Sequence, residues 1–523
     1  MPAALLAHGL RRERAVLPWW IAGTGALFLV QSTQSQDLYA DPAALARLRE
    51  TVGANTAVIA MSGPPELLTS IGGEIVFEIF GFAAVVVALM NMFLIGRHTR
   101  GDEETGRAEL LRSTPIGRRT PVFAALRLAL LADLVTGAVV FAVLAGTGLP
   151  VGGSLLVAAA TAALGWLFAA LTVLAAQVFE HTRGVYATVG SVIGAAWALR
   201  AVGDTGAGAV AWASPIGWGQ RTWAFGADRW WPLAITLGAS AVLVLAALAA
   251  LDRRDFGAGL LRSRPGRPHA SRALGTPSGL AWRLQRGLII GWTVGVGLLG
   301  VAYGSIADSI EQWVADNPET AEFLPGGAGE VVDAFLALSV TLCALLAAAA
   351  GVAAVLRARA EELAGRAEPI LATATSRGAW LGGHLGVALA GSALVLLAGG
   401  AGEGLAYGLT VGDPGQALRM AGAALAVLPA VWAVVAVAVF GLGWAARAAA
   451  AAAWSVLAYC AVVQLFAASF GLPPWAQRLS PFTHLPRAPL EAVTAGPALA
   501  VGAVAAALVA AGVAGFRRRD VGY

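Results

Sequence analysis

RGDEETGRAELLRSTPIGR, residues 100–118, is a charged stretch between two long apolar blocks, and its core returns as RAEELAGRAE at 359–368. Gly106-Arg107-Ala108-Glu109 falls on Gly365-Arg366-Ala367-Glu368 at an offset of 259 residues. The same offset carries Arg118 onto Arg377 and Glu74 onto Asp333. Further along, Ser214-Pro215 falls on Ser480-Pro481 at 266, and Arg253-Arg254-Asp255-Phe256-Gly257 on Arg518-Arg519-Asp520-Val521-Gly522 at 265. Matches that keep chain order while the offset drifts by a few residues mark an internal duplication. The chain reads as two copies of one unit.

The blocks around these matches define what the unit is. Of 523 residues, 58% are hydrophobic and only 13% charged, against about 25% charge in a soluble chain. The apolar blocks run to roughly 18–26 residues, enough for a helix to cross a ~30 Å hydrocarbon layer. Spans are predicted near 16–36, 72–96, 122–147, 152–178, 185–202 and 232–250, then near 284–306, 332–356, 379–401, 418–446, 449–471 and 492–515. The expected fold is an all-α polytopic membrane protein of twelve transmembrane helices in two six-helix repeats. Its divisions are a first transmembrane domain at 1–250, an Arg-, Pro- and Gly-rich cytoplasmic linker at 251–282, and a second transmembrane domain at 283–523. Six spans per copy, an even number, put both halves the same way up, related by an axis along the membrane normal. Glycines such as Gly291, Gly295 and Gly297 are expected to let helices approach closely.

Orientation follows from arginine. With both termini cytoplasmic, 27 of the 35 arginines fall on the inner side, while the segment 308–330 on the other side is acidic, with Asp308, Glu311, Asp316, Glu319, Glu322 and Glu330. This is the asymmetry of the positive-inside rule. All 35 basic residues are arginine, so the chain lacks the lysine of a phosphate-binding Walker A loop. Any ATPase of that class must be another polypeptide. Cys343 and Cys460 sit in separate apolar runs and read as two unlinked thiols. Six scattered histidines show no metal-ligand spacing, and no catalytic constellation stands out.

The opening stretch then lies in the cytoplasm between spans two and three, and its copy between spans eight and nine. Asp102-Glu103-Glu104 suits a helix N-terminus, where unpaired amide groups face outward. The pattern predicts a short helix from Glu103 to Ser113, with Glu103 and Arg107 four apart, an apolar patch at Leu110 and Leu111, and a stop at Pro115 and Gly117. A short helix fixed between two spans is a mechanical contact point; a plain topology anchor is the alternative reading. On the outer side, Tyr39–Arg49 looks helical, and its counterpart is 310–318. Polar groups at membrane depth are Glu74, Glu78, Asp133, Asp333, Asn91, Gln177, Gln464 and His384. Glu78, Asn91, Asp133 and Gln464 are the candidates for a translocation path.

The duplicated stretch, within a twelve-span chain, resembles the ABC-2-type permeases, specifically the large fused group of actinobacterial exporters of polyketide antibiotics. The resemblance covers nearly the whole chain and implies an ABC-2 (type V exporter-like) fold. It implies that Glu103, Glu104, Arg107, Glu109 and Leu110, with Glu361, Glu362, Arg366 and Glu368, belong to coupling helices that meet an ATPase. It further implies two copies of a separate ABC ATP-binding subunit that hold ATP and Mg2+, with no cofactor in this chain. The implied activity is export of drugs, antibiotics or other amphipathic small molecules across the bacterial cytoplasmic membrane; membrane lipid is the other contact, and nucleic acid is not expected. The second copy departs from the first where Pro369 replaces Leu110 and Thr373-Ala-Thr375 replaces the run to Pro115. An ion-coupled multidrug transporter and a non-transporting membrane enzyme or scaffold are the alternatives.

Overall fold

A computed structural model describes residues 2–39, 42–52, 56–113, 116–206, 208–261, 269–316, 327–467 and 472–520. The chain is a polytopic helical membrane protein. It divides into two compact units, Met1–Gly266 and Arg267–Tyr523.

The first unit begins with α1 (Pro2–Glu13) and α2 (Leu17–Leu38), which meet at a 64° bend, followed by α3 (Pro42–Val52) and α4 (Thr56–Met61). Next come α5 (Ile71–His98), the short α6 (Arg100–Glu104) and α7 (Arg107–Arg112), then α8 (Thr120–Gly146) and α9 (Val151–Val178). The unit closes with α10 (Thr182–Thr205), the short α11 (Pro215–Gln220) and α12 (Trp231–Arg253). α9 is the central helix, with α5, α8 and α12 packed on it, and α2 lies against α5 and α8. Local chemistry sets the starts. Ser70 caps α5 by accepting from Gly73 N, and α2, α8 and α12 each carry a proline as their second residue, which has no amide hydrogen to leave unpaired.

The second unit holds α13 (Pro277–Asp316), α14 (Gly327–Leu363), the short α15 (Ala367–Leu371), α16 (Arg377–Val411), α17 (Gly415–Trp444), α18 (Ala449–Phe466), the short α19 (Pro474–Gln477) and α20 (Ala495–Arg518). Here α16 is central, between α13, α14 and α17, while α18 and α20 pack on α17. The α13–α16 crossing is close because backbone meets backbone. A Cβ on Gly300 would stand 2.0 Å from the Gly399 carbonyl oxygen, and one on Gly304 2.1 Å from that of Glu403. The expected contributors Gly291 and Gly295 do not serve this purpose, since a Cβ on either meets nothing within 4 Å. Gly297, the third expected contributor, does take part, since a Cβ on Gly402 would stand 2.5 Å from its carbonyl oxygen.

Among the described residues, ten helices are long and apolar enough to cross a membrane, or eleven if the bent pair α1–α2 counts as one span. Ten or eleven of the expected twelve thus meet this measure. The span placed at 449–471 is the shorter helix α18, and the one at 379–401 extends to Val411. α3 forms a helix over most of the predicted 39–49 segment, whereas Asn317 and Pro318 of its counterpart lie outside the described residues. Large apolar side chains such as Leu298, Leu409 and Leu418 are exposed on the helix surfaces. Lipid covers such groups without cost, whereas unpaired backbone would be costly there, so helices are the form the spans must take.

Candidate functional site

The duplicated stretch folds around a left-handed glycine, and this corrects the single helix expected over 103–113. α6 stops at Glu104, Gly106 takes φ +74°, and α7 resumes at Arg107. In the second unit α14 runs to Leu363, Gly365 takes φ +68°, and α15 begins at Ala367. Glycine adopts this backbone with least strain, which accounts for the glycine at the same place in both copies. A consequence is that Glu103 and Arg107 do not pair. Arg107 instead reaches back across the turn to Asp102 (3.7 Å), as Arg366 does to Glu361 (2.7 Å). The hydrogen bonds from Arg366 to Glu361 hold the Arg366 guanidinium above its ordinary pKa range.

Glu103 has a different partner set, and so does its copy. Arg100, only 1% exposed, donates to Glu103 Oε2 at 2.7 Å and to the Ala176 carbonyl at 2.8 Å. Arg254, just past the end of α12, grips both Glu103 oxygens, one of them at 2.9 Å. In the second unit Arg359 donates to Glu362 Oε2 at 2.9 Å, and Arg519, just past the end of α20, to Glu362 Oε1 at 2.5 Å. Arg118 donates to the Arg254 carbonyl, and Arg377 to that of Arg519 at 2.7 Å. Each member of one set maps onto the other through the offsets 259 and 265. The same carboxylate clamp, built twice, ties each turn to the end of its unit's last helix. Charge-assisted, partly bidentate bonds of this kind are the strong ones.

The clamps differ in their surroundings. In the first, Asp102 also accepts from Arg12 of α1 at 2.7 Å, and Glu104 accepts from Thr182 N (3.0 Å) and Thr182 Oγ1 (2.7 Å) at the start of α10. Beside it lies a cavity of about 60 Å³. In the second, Leu363 replaces Glu104, and Trp380 stacks on Phe516, whose ring lies 4.8 Å from the Arg519 guanidinium carbon. Thus the residues of the sequence reading separate into two kinds. Glu103, Glu361 and Glu362 are inward-facing anchors, while Glu104, Arg107, Glu109, Leu110, Arg366 and Glu368 are exposed. Exposed apolar knobs stand on opposite sides of the two glycines: Leu110 at 74% after Gly106, and Leu363 at 72% before Gly365.

Of the membrane-depth candidates, Asn91 and Asp133 come together. Asn91 Nδ2 donates to Asp133 Oδ1 at 2.7 Å, both are buried, and Gly165 leaves the room for them. Glu78 is half-buried and has no hydrogen bond to a described residue. Gln464 lines a polar cavity in the second unit. Sequence reading missed Glu403, fully buried and accepting from Ser339 Oγ, with its Oε2 unpartnered. The expected span, 379–401, stops two residues short of it. It also misses the buried Arg200 and Arg221 and the buried side chain of Asp204, to which Arg221 donates at 3.0 Å. No group of three His, Cys, Asp or Glu among the described residues could hold a metal ion, and both cysteines are free and buried.

Comparison with known proteins adds two findings. The family described as "Multidrug efflux system permease Rv1217c, C-terminal domain" matches residues 274–517. The multidrug efflux system permease protein Rv1217c of Mycobacterium tuberculosis is 40% identical over 521 residues, covering 99% of this chain and 94% of that protein.

Proposed function

From the premise that the chain belongs to the Rv1217c-like multidrug efflux permease family, we propose that it is the transmembrane permease of an ATP-driven ABC exporter for drugs, antibiotics or other amphipathic compounds. In this reading both termini and both duplicated turns lie in the cytoplasm, where the arginines are concentrated. The bent pair α1–α2 counts as one span and α18 as another, giving six spans in each of two parallel repeats. Two copies of a separate ATP-binding subunit hold ATP and Mg2+ and dock on the turns through the exposed Arg107, Glu109, Leu110, Leu363, Arg366 and Glu368. Their closure on ATP pushes the turns. Glu103 and Glu362 pass the push to the ends of α12 and α20, and the bundle exposes a path to the outside.

The observation that carries this reading is the repeated clamp. A topology anchor needs only arginines near the membrane. It does not need a largely buried carboxylate gripped by one arginine of its own helix and another just past the unit's last helix, at matching positions, beneath an exposed face. Co-purification of the chain with its ATP-binding subunit tests the docking. Arg107→Glu with Glu368→Arg is expected to abolish the complex while the permease stays monodisperse, because both side chains lie on the exposed face. An undiminished complex would remove the docking assignment.

The ion-coupled alternative has one specific observation in its favour. Glu403 and Asp133 are buried carboxylates, each with one oxygen unpartnered, and such groups suit proton relays in membranes. Transport that collapses with a protonophore while ATP is plentiful would favour it.

A further inference from the structure

The connection between α18 and α20 encloses a cavity of about 350 Å³ in the second unit. It lies at the end of the unit away from the Glu362 clamp, since α20 runs from this connection back to Arg518. Arg478 and Arg487 line it, and neither guanidinium has a hydrogen-bonding or ion-pair partner among the described residues. Glu491 also lines it, but its carboxylate accepts from the Arg487 backbone N–H at 3.0 Å. Deeper in, Gln464 of α18, Thr341 of α14 and Val427 of α17 form lining that reaches the spans themselves. The lining therefore grades from two exposed arginines without a described partner, with Glu491 beside them, to hydroxyl, amide and apolar groups between helices.

The first unit shows what this arrangement looks like when it serves structure alone. The offset of 266 that joins Ser214 to Ser480 also joins Arg221 to Arg487. Arg221 is buried, and it is neutralised by Asp204 and held by the Gly208 carbonyl at 3.3 Å. At the position of Asp204 the second copy has Phe470. The duplication has kept the arginine, replaced the position of Asp204 with Phe470 and left the Arg487 guanidinium on a cavity with no ion pair to a described residue. An arginine fork without a counter-ion matches carboxylate, sulfonate or phosphate oxygens.

We infer that this cavity binds the anionic head of an amphipathic molecule through Arg478 and Arg487, with its apolar body directed towards Val427 and the spans. The inference rests on the export reading for its cargo class, but its test needs neither ATP nor the partner subunit. Failure of ATP-driven transport and failure of this site are thus separate results. The head could belong to a transported compound or to an anionic lipid; the chemistry recognised is the same.

The test uses the full chain in phosphatidylcholine nanodiscs, titrated with 11-(dansylamino)undecanoic acid and separately with its methyl ester. The acid is expected to bind more tightly than the ester. Arg478→Gln with Arg487→Gln is expected to weaken acid binding by about tenfold and to leave ester binding unchanged, the loss expected for charge-assisted bonds. Arg487→Lys should retain most of the preference for the acid, which separates charge recognition from misfolding. Displacement of the acid by added phosphatidylglycerol supports the site with lipid as its occupant; persistence of acid binding supports it with a free amphipath. Equal affinity for acid and ester in the parent protein, or unchanged acid binding in the double variant, overturns the inference.

Discussion

Glu103 and Glu362 each sit between two guanidinium groups, and their neighbours explain why a carboxylate is needed. Arg100 and Arg359 reach them from one side, while Arg254 and Arg519 reach them from the ends of other helices. Neutralising the acid leaves two arginines in poorly solvated places with no counter-charge, which is costlier than removing the whole set. Glu103→Gln and Glu362→Gln are each expected to destabilise the protein by about 3 kcal/mol, read as a lower thermal midpoint in detergent. Arg119 and Asp252 also pair in the same region, and that pairing raises the Arg119 pKa, but the pair is fully exposed. Arg119→Ala is expected to leave the midpoint where it was, because water screens such a pair. Equal losses in all three variants would mean that burial is not what makes the clamp strong.

At the scale of helices, small residues decide where close contact is made. Gly300 and Gly304 bring α13 against the backbone of α16 at Gly399 and Glu403, in a region where no water is present to drive association. Gly300→Val is expected to prevent accumulation of monodisperse protein, since its first carbon would overlap a carbonyl that cannot move aside. Gly291→Ala, nine residues earlier on the same helix, is expected to give yield and melting like the parent. Size-exclusion profiles of the two variants check the pair. Composition announced that glycine would matter in this region, but it could not choose among the glycines. That choice depends on which face of α13 meets α16, and both faces are apolar. The same uniformity hid Glu403, because hydropathy falls gradually towards Val411 and gives no sharp edge. The duplicated turn was better marked. Arg100, Glu103, Arg254 and their copies all lay within the repeated matches. What the matches could not convey was the pairing, which joins residues about 150 apart and replaces the expected Glu103–Arg107 contact.

Taken as a molecule, the chain carries two versions of one machine part with different trim. Each unit ties its turn to its last helix, so a force applied at the turn is delivered to the span furthest along that unit's sequence. The first unit adds a tie to α10 through Glu104; the second has an exposed Leu363 at that position and an aromatic stack under its clamp. Two identical ATP-binding subunits would therefore meet unequal grips, and the repeat makes this asymmetry a property of one polypeptide. The central claim is that the levers are driven by a separate motor and not by an ion gradient. The most direct measurement places the purified permease and its ATP-binding subunit in proteoliposomes and follows movement of a fluorescent amphipathic drug. Movement is expected only when both proteins and ATP are present, and it is expected to persist after an ionophore has collapsed every gradient. Movement by the permease alone, driven by an imposed proton gradient, would contradict the account.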